Sequence, residues 1–159
     1  MERRLAVPDV SLTGIDCIPG RVDDVPRDTY DEALVANATR LPFAGGSFDA
    51  VVAGELIEHL TPVDVDKALA EIRRVLKPGG RLLMTTPNPD SVKLRLLGGS
   101  VLDSHHLSAH SHKALATRLE ALGHVGVVFH GSGRATRRFG DCVPFLWLLG
   151  SCLVCAVSS

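Results

Sequence analysis

Aromatic residues and net charge are both scarce in this sequence. Phe, Trp and Tyr make up 4% of the 159 residues, so aliphatic side chains must fill most of the core. Lys and Arg total 17 against 18 Asp and Glu, and the formal net charge is −1. A nucleic-acid-binding protein needs a basic face for the phosphates. We therefore predict no nucleic-acid partner.

Cysteine is also scarce, and the sequence shows no secretory leader. The last two of its four cysteines form a C-x-x-C, but no second Cys pair or His pair lies at zinc spacing. We expect reduced, buried thiols. The first residues are charged without a following apolar stretch, so we predict a cytoplasmic location. The cysteines are Cys17, Cys142, Cys152 and Cys155.

No apolar run reaches the length of a membrane-spanning helix. The most apolar stretch, VPFLWLLGSCLVCAV, covers residues 143–157 and is interrupted by Pro144 and Gly150. A spanning helix needs about 20 apolar residues. The stretch better suits a buried strand and the segment leading into it, and we expect no membrane contact.

The sequence alternates short apolar runs with helical patterns. Its 45% hydrophobic and 22% charged residues indicate a globular chain, and its length suits a single domain over residues 1–159. Helical patterns cover Val63–Leu76 and about ten residues after Ser111. This order predicts an α/β fold with a mainly parallel sheet. A polar loop with Pro19, Gly20 and Pro26 is predicted after the first strand. The predicted strands are Val10–Ile15, Ala33–Ala36, Phe48–Ala53, Arg81–Thr86, Val125–Phe129 and Ser151–Val157.

Three of these strands are followed by candidate ligand-binding positions. Asp16 ends the first strand, Asn37 follows the second, and Gly54-Glu55 follow the third. In parallel α/β sheets, ligands bind outside the carboxyl ends of the strands. These positions are therefore candidates for a ligand site.

Residues 41–88 carry a more specific pattern. It combines LPF at 41–43, SFDAVV at 47–52, EHL at 58–60, EIRRVLKPGG at 71–80 and TPN at 86–88. With these motifs the chain resembles the class I S-adenosylmethionine-dependent methyltransferases of the small-molecule type. The resemblance implies a Rossmann-like methyltransferase sheet, S-adenosyl-L-methionine as cofactor and a small-molecule methyl acceptor.

The resemblance places the adenosine part of the cofactor at the first two strand ends. Asp16 would accept hydrogen bonds from both ribose hydroxyls, and Cys17 and Ile18 would line the adenine. Asn37 and Ala38 stand where the family has Asp and a small residue, and the Asn37 amide oxygen would accept the adenine amino group. The alternatives are a solvated loop position for Asp16 and a turn position for Asn37.

The third strand end is implied to lie beside the methionine part of the cofactor. There the backbone of Ala53, Gly54 and Glu55 would pass close to it. His59 is the candidate for proton transfer, although the resemblance implies a mostly architectural role. The KPGG sequence at 77–80 is typical of a helix stop and not of a phosphate-binding loop.

Histidines are concentrated in HHLSAHSH at 105–112. His106 and His110 would share a face if this segment were helical. Ser111 is typical of a helix cap, however, so most of these histidines lie in a loop. Only Asp103 is near enough to complete a ligand set, and we predict no metal site. A loop over the active site is the functional alternative.

One feature of the family is absent from the sequence. No acidic residue followed by a G-x-G-x-G loop occurs, and residues 1–6 resemble the end of the helix after that loop. We expect a partial, amino-terminally truncated methyltransferase domain, lacking the first strand and the Gly-rich loop. That strand would lie between the strands ending at Asp16 and Gly54. Without it, we expect unpaired strand edges and impaired catalysis.

Two other functions stay open. A non-catalytic relative would act through a partner chain bound at the open sheet edge or the apolar end, and need not bind the nucleoside. A dinucleotide-binding oxidoreductase shares the strand-end Asp but needs G-x-G-x-x-G after its first strand. We favour methyl transfer, an in-line displacement that depends chiefly on positioning. The sequence does not choose between oxygen, nitrogen and carbon as the methylated atom.

Overall fold

A computed structural model describes residues 10–26, 29–91, 96, 98–102, 104–132 and 151–159 in two sheets. The first sheet pairs β1 (Thr13–Asp16) with β2 (Glu32–Val35) in parallel. The second has four strands in the order β3 (Phe48–Gly54), β4 (Leu76–Thr86), β6 (Ser151–Ser158) and β5 (His124–Ser132).

The two parallel pairs confirm the predicted α/β class. β3 and β4 run parallel, as β1 and β2 do, while β6 is antiparallel to both of its neighbours. β1 is shorter than predicted because it begins at Thr13, and β4 is longer because Leu76 already pairs with Phe48. The predicted strands all have counterparts in the described part of the chain.

Helix α2 (Pro62–Val75) begins at the predicted cap. Thr61 Oγ1 accepts the Asp64 N–H at 3.3 Å, and Pro62 occupies the first turn, where a missing N–H breaks no helical bond. Apolar residues three and four positions apart form one buried face. They are Val65, Ala68, Leu69, Ile72 and Val75.

Helix α2 also holds the turn that precedes β3. Glu71 Oε2 accepts the Leu41 N–H at 2.7 Å, and Arg74 donates to the Phe43 carbonyl at 2.7 Å. Arg74 also bonds both Glu71 carboxylate oxygens, and this charged partner lowers the pKa of Glu71. The LPF and EIRR motifs are therefore physically linked across the fold.

The remaining helices flank the two sheets. α1 (Pro19–Asp23) occupies a segment that the sequence predicts as a polar loop. That prediction is wrong because Pro19 at the first position starts a single helical turn despite Gly20. α3 (His112–Ala121) begins as predicted, with Ser111 Oγ accepting the Ala114 N–H at 3.3 Å.

The core lies between α2, α3 and the four-stranded sheet. Its buried residues include Leu69 and Ile72 of α2, Leu82 and Met84 of β4, and Leu119 of α3. Within the described ranges, every buried residue is at position 41 or beyond. β1, α1 and β2 therefore contribute no buried side chain.

The strands ending at Asp16 and Gly54 belong to separate sheets. In the described ranges no strand pairs with both β1 and β3. Val52 of β3 is 78% exposed, so no element in the described part of the chain covers the strand at this residue.

The described cysteine thiols are free, and one departs from expectation. Cys17 is exposed, so the prediction that the thiols are buried is wrong for it, and Cys155 is half-buried. Cys142 lies outside the described residues, as do residues 143–150 of the apolar stretch. The described helices are all too short or too polar to cross a membrane.

Candidate functional site

Asp16 lies at the carboxyl end of β1 in a fixed orientation. Its Oδ1 accepts the Ile18 N–H at 2.8 Å, and its Oδ2 lies 3.6 Å from an Arg21 guanidinium nitrogen. The side chain is still 31% exposed. Cys17 and Ile18 follow on the surface. The turn thus holds the carboxylate in place while leaving it accessible to a ligand.

Asn37 follows β2 at the same edge as Asp16. The register pairs Asp16 with Val35, and the Ala36 N–H donates to the Asp16 carbonyl at 2.9 Å. Asn37 Oδ1 accepts both the N–H and the hydroxyl of Thr39, each at 2.9 Å. An amide oxygen has two lone pairs, so an adenine amino group would have to displace one of these bonds. The turn alternative for Asn37 therefore has direct structural support.

The end of β3 has an unusual backbone conformation. Glu55 has φ = 46°, in the left-handed region that non-glycine residues rarely adopt. Its N–H lies 3.1 Å from both the carbonyl and the hydroxyl oxygen of Thr85. Ala53 is buried, while Gly54 and Glu55 are exposed. Ala53 can thus contribute only backbone to a site here.

Glu58 is a buried carboxyl just beyond β3. It lies in a 3-10 helix (Ile57–His59), and its side chain is 2% exposed. Burial raises the pKa of Glu58, and the nearby Glu55 carboxyl adds to this rise. Oε2 accepts the Thr86 hydroxyl at 3.2 Å, a contact that lowers the pKa by a smaller amount.

The loop before α3 is attached to this 3-10 helix. The Glu58 carbonyl accepts the N–H groups of Leu107 at 2.7 Å and Ser108 at 3.1 Å. His59 Nδ1 lies 2.9 Å from the His105 carbonyl. The predicted loop of histidines is confirmed, and it lies directly beside the end of β3.

The sequence-predicted residues fall into two groups. The β1–β2 edge carries Asp16, Cys17, Ile18, Asn37 and Ala38, and the β3 end carries Ala53, Gly54, Glu55 and His59. Two neighbouring side chains were not assigned to these groups from the sequence. Arg21 lies on helix α1, and His106, named only with the histidine loop, lies 47 positions after His59 in the chain. Only tertiary structure brings such residues together.

Comparison with known proteins identifies the family. A family model described as a methyltransferase domain matches residues 3–84, just over half of the chain. The chain belongs to this methyltransferase family. Its match ends within β4 and includes the β1–β2 edge and the β3 end.

Two proteins of similar sequence are also named methyltransferases. A demethylmenaquinone methyltransferase from Beutenbergia cavernae is 42% identical over 81 residues, 50% of this chain and 33% of the relative. An O-methyltransferase from Pyrenophora dematioidea is 40% identical over 100 residues, 53% of this chain and 36% of the relative. The matched part thus spans about a third of the length of these relatives.

Solved structures share the fold at low identity. A SAM-dependent methyltransferase from Archaeoglobus fulgidus has a TM-score of 0.68 and 18% identity, covering 91% of this chain and 75% of that one. A SAM-dependent methyltransferase from Methanosarcina mazei has a TM-score of 0.67 and 19% identity, covering 93% and 82%. These matches confirm the Rossmann-like methyltransferase fold.

S-adenosylmethionine is the cofactor of this family, and the β1–β2 edge has the chemistry to bind its adenosine part. An accessible, oriented carboxylate ends β1, and the exposed Ile18 provides an apolar surface beside it. Hydroxyl groups of a ribose are donors that a carboxylate accepts well. The described residues at this edge therefore fit the nucleoside end of the cofactor.

Proposed function

We propose that this methyltransferase-family chain takes part in transferring a methyl group from S-adenosylmethionine to a small molecule. Family membership together with the oriented, accessible Asp16 carboxylate carries the proposal. The bound cofactor would supply an electrophilic methyl group. The contribution of the protein is to hold donor and acceptor in line, which requires position more than acid–base chemistry.

Each predicted site residue has a role in this proposal. Asp16 would accept the ribose hydroxyls, and Cys17 and Ile18 would contact the adenine. Asn37 and Ala38 would border the adenine, with the Asn37 amide exchanging one Thr39 bond for the ligand. The backbone of Ala53, Gly54 and Glu55 would contact the methionine part. His59 is the candidate for moving a proton from the acceptor.

The acceptor class is suggested by the names of the relatives. One is a demethylmenaquinone methyltransferase, and another is named simply as an O-methyltransferase. We propose a small organic acceptor and leave its methylated atom open. A cytoplasmic location likewise stays a prediction.

A second candidate function rests on the separation of the two sheets. β1 and β3 do not share a neighbour in the described part, and Val52 of β3 is 78% exposed. A non-catalytic chain with this arrangement would act through a partner chain. S-adenosylhomocysteine binding separates the two candidates, because a purely structural partner need not bind the nucleoside.

Calorimetric titration with S-adenosylhomocysteine tests the proposed function. We expect micromolar binding, weakened at least tenfold in Asp16→Ala because charged hydrogen bonds to the ribose are lost. Asp23→Ala, an exposed carboxylate at the end of α1, is the matched control and should bind like the parent chain. Binding that survives Asp16→Ala, or a folded chain that does not bind, would contradict the proposal.

A further inference from the structure

A carboxyl and two imidazoles from distant segments meet beside the end of β3. Glu58 and His59 come from the 3-10 helix, and His106 comes from the loop before α3. One possible ligand atom from each residue lies within 4.8 Å of the others. The rings of His59 and His106 pack with their centroids 5.0 Å apart. The cluster thus combines two nitrogen donors with one oxygen donor.

The buried Glu58 carboxyl lacks a partner on one oxygen. Its Oε1 has no hydrogen-bond partner among the described atoms, although the side chain is 2% exposed. Burying a polar atom without a partner is costly, and such an atom in a native structure calls for an explanation. A cation at this point would supply one.

The two histidines are held in a ring orientation typical of metal ligands. His59 Nδ1 lies 2.9 Å from the His105 carbonyl, and His106 Nδ1 lies 2.9 Å from the Val101 carbonyl. A carbonyl can only accept, so each Nδ1 would be the donor and Nε2 the nitrogen that could bind a metal. Metal-binding histidines commonly donate their other ring nitrogen to a carbonyl in this way.

We propose that Glu58, His59 and His106 form a binding site for a divalent transition-metal ion such as Zn²⁺. Zinc accepts imidazole nitrogen and carboxylate oxygen and binds three protein ligands with an open fourth position. Ligands of a tetrahedral zinc stand about 3.4 Å apart, and here one possible ligand atom of each residue lies within 4.8 Å of the others, so the residues need to move only a short distance to bind zinc. Mg²⁺ prefers oxygen ligands alone and does not suit this set.

The neighbouring histidines do not compete for this role. His110, which the sequence pairs with His106, is buried, and its Nε2 lies 2.8 Å from Ser108 Oγ. His105 is exposed and contributes its backbone carbonyl to His59. The sequence-based prediction of no metal site considered only nearby ligands for the histidine loop. It did not consider His59 and Glu58.

Metal titration of the chelator-treated chain tests this site. We expect one equivalent of Co²⁺ to bind with the visible absorption of a tetrahedral site, and one equivalent of Zn²⁺ to displace it. Glu58→Gln, His59→Ala and His106→Ala should each weaken Zn²⁺ binding at least tenfold. His105→Ala retains the backbone carbonyl and is the matched control, with binding unchanged. Mg²⁺ at millimolar concentration should not displace Co²⁺.

If Glu58→Gln does not fold, the variants of the exposed His59 and the half-buried His106 decide the outcome. Circular dichroism establishes that each variant is folded before titration. Folded His59→Ala and His106→Ala variants that bind Zn²⁺ as tightly as the parent chain would overturn the proposal, as would a parent chain that binds less than one equivalent. The titration uses neither cofactor nor acceptor, so its failure would leave the proposed methyl transfer untouched.

Discussion

Buried histidines contribute to the way the stability of this protein responds to pH. His124 is 2% exposed, and burial, followed by the positive charge of Arg73, lowers its pKa. Burial also lowers the pKa of His110 and His112. In the unfolded chain such groups titrate near pH 6.5. Below that pH the unfolded state binds more protons than the folded state, so stability falls as pH falls.

Replacing His124 with Leu should make stability less dependent on pH. The variant has one fewer group that binds protons differently in the folded and unfolded states. Its free energy of unfolding should therefore decrease less steeply between pH 7 and pH 5, by up to about 1.4 kcal/mol per pH unit. Urea denaturation at several pH values measures this slope. Val125→Leu changes an exposed residue next to His124 that does not titrate, and should keep the parent slope. An unchanged slope in His124→Leu would show that this ring does not contribute to the pH dependence of stability.

Gly80 is a single residue on which the irregular first part of β4 depends. A Cβ at this position would lie 2.8 Å from the Lys77 carbonyl oxygen and 3.2 Å from the Asp49 carbonyl oxygen. Gly80→Ala must therefore shift backbone, and we expect a loss of about 1–3 kcal/mol in the free energy of unfolding. In Gly20→Ala the new Cβ lies in open space, and the free energy of unfolding should change by less than about 1 kcal/mol. Chemical denaturation compares the two, and equal effects would contradict the steric argument.

At the scale of whole elements, local signals account for α2 and α3. Each helix begins at a hydroxyl residue that caps it, Thr61 in one case and Ser111 in the other. These signals are complete within a few residues, so the sequence predicts them well. The Asp16 strand end is predicted for the same reason. The cluster of Glu58 with His106 depends on how a distant loop docks, and no local pattern encodes that.

Removing the cap of α2 should destabilise the protein measurably. Thr61→Ala removes the acceptor for the Asp64 N–H and should cost about 1 kcal/mol of the free energy of unfolding. Thr61→Ser retains a hydroxyl and should cost less than half as much. Thermal and urea denaturation of the three chains give the comparison. Equal losses in both variants would assign the effect to the Thr61 methyl group and not to the cap.

At the scale of the molecule, stability is distributed unevenly between the two sheets. The part built from β1, α1 and β2 has no buried residue, whereas the four-stranded sheet packs against α2 and α3. Two-stranded sheets are marginally stable without a packed face. Regions with few buried contacts open with lower free energy than the core.

Hydrogen exchange should therefore differ between the two sheets. We expect amides of β1 and β2 to exchange at least tenfold faster than those of β4 and β6, which have partners on both sides. Addition of S-adenosylhomocysteine should slow exchange near Asp16 and leave β6 unchanged. Uniform protection across both sheets would show that they open as one unit.

The docking of the histidine loop by main-chain atoms has a consequence for engineering. Leu107 and Ser108 both donate backbone N–H groups to the Glu58 carbonyl, so this attachment does not depend on the identity of the Leu107 side chain. Leu107 is 55% exposed. This position is therefore suited to saturation mutagenesis, in which the surface beside the β3 end is varied while the loop keeps its anchor.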